Sequence, residues 1–168
     1  MVRITNVVAT AQLGCELDLD LLEKKLPLAL YTPRSFSALL IRQLHPVKAH
    51  CQVYKNGKIT INGGNSVVQS QSLAQTFANQ IRGCGFDAAI NNYRVVNMIG
   101  SLDFERPLRL EEISVHLKAD YCPELFPGLS VRLSYCTAVL FHSGKVNLLG
   151  AVSELHLLAA ELELNILL

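Results

Sequence analysis

Hydrophobic and polar positions follow two periods along the chain, and the periods take turns in the same order twice. Ile4 to Leu13 alternates with period two and reads as a strand, as does Tyr93 to Gly100. A short helical pattern follows each. In the first, Asp18 is placed to cap a helix whose apolar face is Leu19, Leu22 and Leu26. In the second, Pro107 opens a helix with Leu110, Ile113 and Val115 inward. Several short strands come next, with hairpin turns at Asn56-Gly57 and Ser143-Gly144. A longer helical pattern closes each half. Asn65 or Ser66 caps the first, Leu73, Phe77, Ala78 and Ile81 line it, and Gly83 sits at its end. The second runs from about Val152 onward, with Leu155, Leu158, Ala159 and Leu162 on one face.

The recurrence extends to residue identity. Asn6-Val7-Val8 matches Asn97-Met98-Ile99 at an offset of 91, and Tyr31 to Phe36 matches Tyr121 to Phe126 at 90. Arg42 matches Arg132 at 90, and Tyr54 to Ile59 matches Phe141 to Val146 at 87. Order is kept while the offset drifts little, so the chain reads as a duplicated unit, residues 1–90 and 91–168. Each unit is helix plus antiparallel sheet, an α+β arrangement with helices on one sheet face. The other face is left for water or a partner. Alternation puts Lys58, Thr60 and Asn62 on that open face, opposite Ile59 and Ile61, and likewise Lys145, Asn147 and Leu149.

Composition narrows the class. Half of the 168 residues are hydrophobic and 17% are charged, which excludes an intrinsically disordered chain. The net charge of +1 hides an asymmetry. Residues 1–90 carry nine basic and five acidic side chains, and residues 91–168 carry six and nine. A nucleic-acid partner would find more phosphate contacts on the first half. Five cysteines without a CxxC pair argue against a zinc ribbon or a disulfide scaffold. With no signal-peptide pattern and no apolar run of membrane-spanning length, the expectation is a soluble domain of a reducing, intracellular compartment. Catalytic constellations are missing from the pattern. Gly144-Lys145 lacks the glycine spacing of a phosphate loop, the five histidines show no metal-ligand spacing, and Cys15 and Cys51 read as small buried hydrophobes. The expectation is no enzyme activity, no cofactor and no metal.

The chain resembles the TATA-box-binding protein family, as a divergent TBP-related core domain. The resemblance rests on Asn6 to Thr10 with Leu13-Gly14-Cys15 and Leu17-Asp18-Leu19, Arg94 to Gly100, Pro107 to Glu111, Pro123-Glu124-Leu125-Phe126-Pro127-Gly128-Leu129, and Ser143 to Val146. It implies a saddle of two pseudo-symmetric repeats sharing one curved ten-stranded antiparallel sheet, with helices on the convex face. Members of the family seat the concave face in a widened minor groove and wedge aromatic rings between base steps. The matching wedge residues here are Phe36, Tyr54, Phe126 and Phe141. The groove-floor positions are Asn6, Val8, Thr60, Asn62, Asn97, Ile99, Asn147 and Leu149, where an amide can donate to the acceptors that A·T pairs present. The phosphate positions are Arg34, Arg42, Lys58, Arg132 and Lys145.

Departures from the family pattern shape the functional expectation. The Val-x-Thr of the last strand in each half has become Thr60-Ile61-Asn62 and Asn147-Leu148-Leu149. Ser35, Asn65 and Val152 stand where the family usually has Arg or Lys, and each lost phosphate contact lowers affinity and flattens the salt slope by ~0.9. The family's docking site for transcription factor IIB keeps Glu124 and Leu125 but has Cys122 for its first Glu. The first-repeat edge used for transcription factor IIA or a paralogue is apolar here, through Leu28, Leu30 and Tyr31. The resemblance therefore implies a nuclear initiation factor for core promoters, with weakened or altered selectivity for TATA sequences and a homodimer in the absence of DNA. The alternative is a protein-interaction platform that has lost autonomous DNA binding.

Overall fold

The computed structural model describes residues 1–168. Nine strands and four helices follow one another as β1 (Arg3–Gln12), α1 (Leu19–Lys25), β2 (Ala29–Tyr31), β3 (Leu39–Gln43), β4 (Ala49–Val53), β5 (Lys58–Gly63), α2 (Val67–Gly83), β6 (Asn91–Asp103), α3 (Leu110–Leu117), β7 (Leu129–Arg132), β8 (Thr137–Leu140), β9 (Lys145–Ala151) and α4 (Glu154–Leu167). The strands hydrogen-bond in the order β2-β3-β4-β5-β1-β6-β9-β8-β7. Two compact units result, an N-terminal one of Asn6–Val96 and a C-terminal one of Asn97–Leu168 with Met1–Thr5. Both β1 and β6 run through the two units, so the compact units are cut differently from the sequence repeat.

In the N-terminal unit, alternation buries Val7, Ala9 and Ala11 of β1 and Ile59 and Ile61 of β5. They pack with Leu73, Ala74, Phe77, Ala78 and Ile81 of α2 and Leu19 and Leu22 of α1 in one core. The Asp18 carboxylate accepts the Leu21 N–H at 3.0 Å and starts α1. The cap of α2 is Ser66, whose hydroxyl accepts the Gln69 N–H at 3.1 Å. Gly83 is the last helical residue of α2, and the left-handed residue beyond it is Gly85, φ +103°. In the C-terminal unit, Met98 and Leu102 of β6, Ala138 and Leu140 of β8, Val146 and Leu148 of β9, and Leu157, Ala160 and Leu164 of α4 are buried.

The duplicated pattern is visible in the backbone bonds. Leu13 N–H donates to the Gly57 carbonyl, and Phe104 N–H to that of Gly144. Tyr54 N–H donates to Lys58 and Phe141 N–H to Lys145. Both hairpin glycines are left-handed, at φ +83° and +93°, and a Cβ would collide with the carbonyl of Cys15 at Gly57 and of Arg106 at Gly144. At both places a side chain would be strained in φ and blocked by backbone.

Four sequence expectations are corrected. The strands number nine, because the segment matching β2, Ala119-Asp120-Tyr121, forms no strand. Asp120 stands there where β2 has Leu30, and aspartate is depleted from strands. Pro107 does not open α3. Leu108 N–H is bound to the His142 carbonyl at 2.9 Å, which holds the chain out of helical geometry until Leu110. Val115 is 80% exposed, since it lies five residues from the buried Leu110 and so well round the helix. The long second helix turns Leu157, Ala160 and Leu164 to the core, leaving Leu155, Leu158 and Leu162 exposed. Leucines occupy nearly every side of α4, so apolar spacing alone did not single out the buried face.

Candidate nucleic-acid interface

The sheet face away from the helices presents polar side chains in rows set by strand register. In the N-terminal unit Val8 pairs with Asn62, Asn62 with His50, and His50 with Arg42. The next row is Thr10, Thr60, Gln52 and Leu40, and Gln12 stands beside Lys58. The Asn6 amide donates to the Asn62 carbonyl oxygen at 2.8 Å, so the two groove-floor candidates orient one another. One amide hydrogen of Asn6 is thereby spent, and the Asn62 NH2 remains free to donate. His50 and Gln52 share this face because Ala49, Cys51 and Val53 take the other. The alternation of Ala-His-Cys-Gln-Val carried that signal, although the sequence reading named neither residue. Burial, followed by the neighbouring Arg42 charge, lowers the His50 pKa, which keeps the imidazole neutral near pH 7.

The C-terminal unit builds the same face from different chemistry. Ser101 pairs with Asn147, Asn147 with Val139, and Val139 with Ser130. Leu149 pairs with Thr137 and Thr137 with Arg132, whose guanidinium donates to the Thr137 hydroxyl at 3.1 Å. The Asn97 side-chain oxygen accepts the Gly150 N–H at 3.0 Å, and the Ile99 carbonyl accepts the Thr5 hydroxyl at 3.2 Å. Asp103 is paired in register with Lys145. That carboxylate sets a negative charge beside a phosphate candidate.

Charge on these faces is available. The salt bridges of the molecule are Met1–Glu161 and Arg109–Glu112, so Arg34, Arg42, Lys58, Arg132 and Lys145 carry no carboxylate partner. All five are exposed. Arg94 adds a sixth cation that the sequence reading left out. It lines one shallow depression with Thr10, Gln12, Lys58, Asn92 and Val96. Alternation counted back from Asn97 points Arg94 the other way.

The aromatic candidates sit at the turns. Phe126 and Phe141 pack edge to face, ring centroids 6.2 Å apart and planes at 66°. Phe126 is 48% exposed. Gly128 lies beneath the pair. A Cβ there would come within 2.7 Å of the Phe126 ring, 2.8 Å of Val139 and 3.1 Å of the Phe141 ring. At the matching place in the N-terminal unit stands Ala38, fully buried, and Phe36 and Tyr54 form no such ring pair. Phe36 is 40% exposed in a turn closed by its own N–H on the Thr32 carbonyl.

Two edge regions complete the candidates. Strand β2 pairs only with β3, and Leu28 and Leu30 are about half exposed along it, at 47% and 53%. The Tyr31 N–H is taken by the Glu23 carboxylate at 2.7 Å, which blunts that edge. Leu28 continues into a groove of about 810 Å³ with Leu26, Leu44, Val47 and Leu73. In the turn before β7, Leu125 is 86% exposed and the Cys122 thiol donates to Glu124 at 3.2 Å. The Glu124 backbone N–H and that thiol hold its carboxyl below the usual range.

Comparison with known proteins places this architecture. The family model described as "Transcription factor TFIID (or TATA-binding protein, TBP)" matches residues 1–84 and 92–166. The chain belongs to the TATA-binding protein family. The TATA-box-binding protein of Xenopus tropicalis is 37% identical over 153 residues, covering 89% of this chain and 51% of that protein. The TATA box-binding protein-like 2 of Mus musculus is 34% identical over 154 residues, covering 89% and 44%. The chain thus spans about half the length of the curated TBP-family relatives it matches. Among solved structures, Methanococcus jannaschii TBP superposes with a TM-score of 0.90 at 27% identity, covering 99% of this chain and 97% of that one. The TBP fold is therefore present essentially end to end.

Proposed function

We propose that this TBP-family domain is a nuclear transcription initiation factor. It binds A·T-rich core-promoter DNA in the minor groove through its open sheet face and nucleates a preinitiation complex, with no chemical reaction of its own. Residues 1–90 and 91–168 act as two repeats, a reading supported by the two-segment family match. Phe36, Tyr54, Phe126 and Phe141 are the wedges. Asn6, Val8, Thr60, Asn62, Asn97, Ile99, Asn147 and Leu149 meet the groove floor, and Arg34, Arg42, Lys58, Arg132 and Lys145 meet phosphates. The observation that carries this reading is the second aromatic tip. Two phenylalanines held edge to face over a glycine, beside an open face whose cations form no salt bridges, form a ready-made apolar wedge.

Selectivity for TATA is weaker than in the relatives. Asn147 and Leu149 alter what meets the groove floor, Asp103 offsets Lys145, and the Asn6–Asn62 bond spends a donor. Partner contacts follow the edges. Leu28, Leu30 and Tyr31 take a factor-IIA-like partner of apolar character, and Glu124 with Leu125 takes transcription factor IIB or a paralogue. The Leu28→Glu change should lose the first partner in a pull-down with an unchanged melting temperature. Retained binding would count against that edge.

The deciding experiment is fluorescence anisotropy on a TATA duplex and a scrambled duplex at two salt concentrations, with and without factor IIA. Binding by the protein alone with preference for TATA supports the promoter-factor reading. Loss of all binding until the partner is added would instead favour an interaction platform, the reading motivated by the changes at Thr60, Asn62, Asn147 and Leu149.

A further inference from the structure

The outer face of α4 is apolar where a helix lying on a sheet is ordinarily polar. Leu155, Leu158, Leu162 and Ile166 are 73%, 45%, 67% and 84% exposed. Their three-four-four spacing lines them up as one stripe about 17 Å long. The stripe is not needed for the fold, because Leu157, Ala160 and Leu164 already fill the core side. Helix α2 supplies the control within the same molecule. Shifted by the repeat offset of 87, the four stripe positions fall on Val68, Gln71, Gln75 and Asn79, and the buried ones on Ser70, Leu73 and Phe77. Both helices begin from an equivalent serine cap, Ser66 and Ser153. Placement in the unit is therefore the same, and only α4 has an apolar outer face.

The side chains that border the stripe on α4 are acidic. Glu154 and Glu161 fall seven residues apart along one border and Glu163 along the other, and α4 contains no Lys or Arg. Glu154 is exposed and unpaired. Glu161 accepts the Val2 N–H at 3.0 Å and pairs with the Met1 ammonium at 2.9 Å, Glu163 accepts the Ser134 N–H at 3.1 Å, and no Lys or Arg side chain pairs with either. We propose that the outer face of α4 docks a partner helix whose apolar seam is flanked by Lys or Arg. A seam one side chain wide and about three turns long fits the ridge of another helix, and charges flanking such a seam select the partner. Pairing with a second copy of this chain would run two glutamate borders along one seam, which opposes self-association.

The test uses two labelled 21-residue peptides at trace concentration, alike in their leucine seam, one bordered by Lys and Arg and the other by Glu. Anisotropy should show the basic peptide binding at least about tenfold more tightly at low salt, with the gap closing as salt screens the borders. Leu158→Gln with Leu162→Gln gives α4 the residues α2 carries at those places. This double variant should lose about tenfold in affinity for the basic peptide while melting like the parent. Glu154→Lys should narrow the gap between the peptides. The proposal is overturned if neither peptide binds, if both bind equally, or if the double variant binds as well as the parent. It is also overturned if light scattering finds a dimer of the parent that the double variant turns into a monomer, since the stripe would then serve a second copy.

Discussion

The N-terminal and C-terminal units carry the same kind of aromatic tip over different floors. Under Phe126 and Phe141 the chain has Gly128, and the rings close over it edge to face. Under Phe36 the matching residue is Ala38, and no ring pair forms with Tyr54. One methyl group separates the floors. The packing of an aromatic tip thus depends on the space beneath it as much as on the ring itself, and the duplicated tips are unequal. The faces behind them differ in the same direction. The N-terminal unit sets Arg42 beside a neutral His50, whereas the C-terminal unit sets Asp103 beside Lys145.

That inequality can be tested in steps of decreasing effect. Replacing both rings of the stronger tip, Phe126→Ala with Phe141→Ala, should abolish DNA bending in a FRET assay and weaken binding by about tenfold or more. The corresponding Phe36→Ala with Tyr54→Ala should cost less. Equal losses would erase the distinction between the tips. Next comes Gly128→Ala, whose methyl group forces the rings and Val139 apart. Strained insertions of this size cost about 1 kcal/mol or more, so bending should fall while the domain stays folded. The reciprocal Ala38→Gly should destabilise the fold by about 0.5–1 kcal/mol in chemical denaturation and leave bending at that end no weaker.

Smaller effects probe the charges. Asp103→Asn should raise DNA affinity a few-fold at low salt, and the gain should vanish at about 1 M salt, where the screening length shrinks to ~3 Å. The His50 pKa is lowered in the free domain, and phosphate nearby would raise it in the complex. A group that binds its proton more tightly in the complex strengthens binding as pH falls. Affinity should therefore increase below about pH 6.5. His50→Gln should flatten the pH profile, and an unchanged profile would remove His50 from the interface.

Most of the architecture was legible from local rules. Asp18 capped α1 as its residue type predicts, and Asn56-Gly57 and Ser143-Gly144 made the hairpins. Strand alternation put Lys58, Thr60 and Asn62 opposite Ile59 and Ile61. Reading failed where local rules were degenerate or interrupted. Helix α4 offers leucine on nearly every side, so its buried face was misassigned, although the repeat offset from Leu73 and Phe77 points to Ala160 and Leu164. Arg94 was missed because counting by twos from Asn97 puts it on the opposite side of β6. The ring pair could not be read at all, because Gly128 reaches Phe126 through a neighbouring turn and Phe141 only across the strands.

The sequence by itself determined the family, the duplication, the order of helices and strands, and which side chains of the regular strands share a face. These depend on spacing and residue type within a few neighbours, or on motifs long enough to be specific. Only the tertiary structure decided which face of α4 is left bare, that Asp103 stands beside Lys145, and that Asn6 and Asn62 hold each other. It also decided that one aromatic tip is closed and the other open. Each of these depends on groups distant in sequence meeting at distances of a few ångström, where one methyl group or one carboxylate changes the outcome.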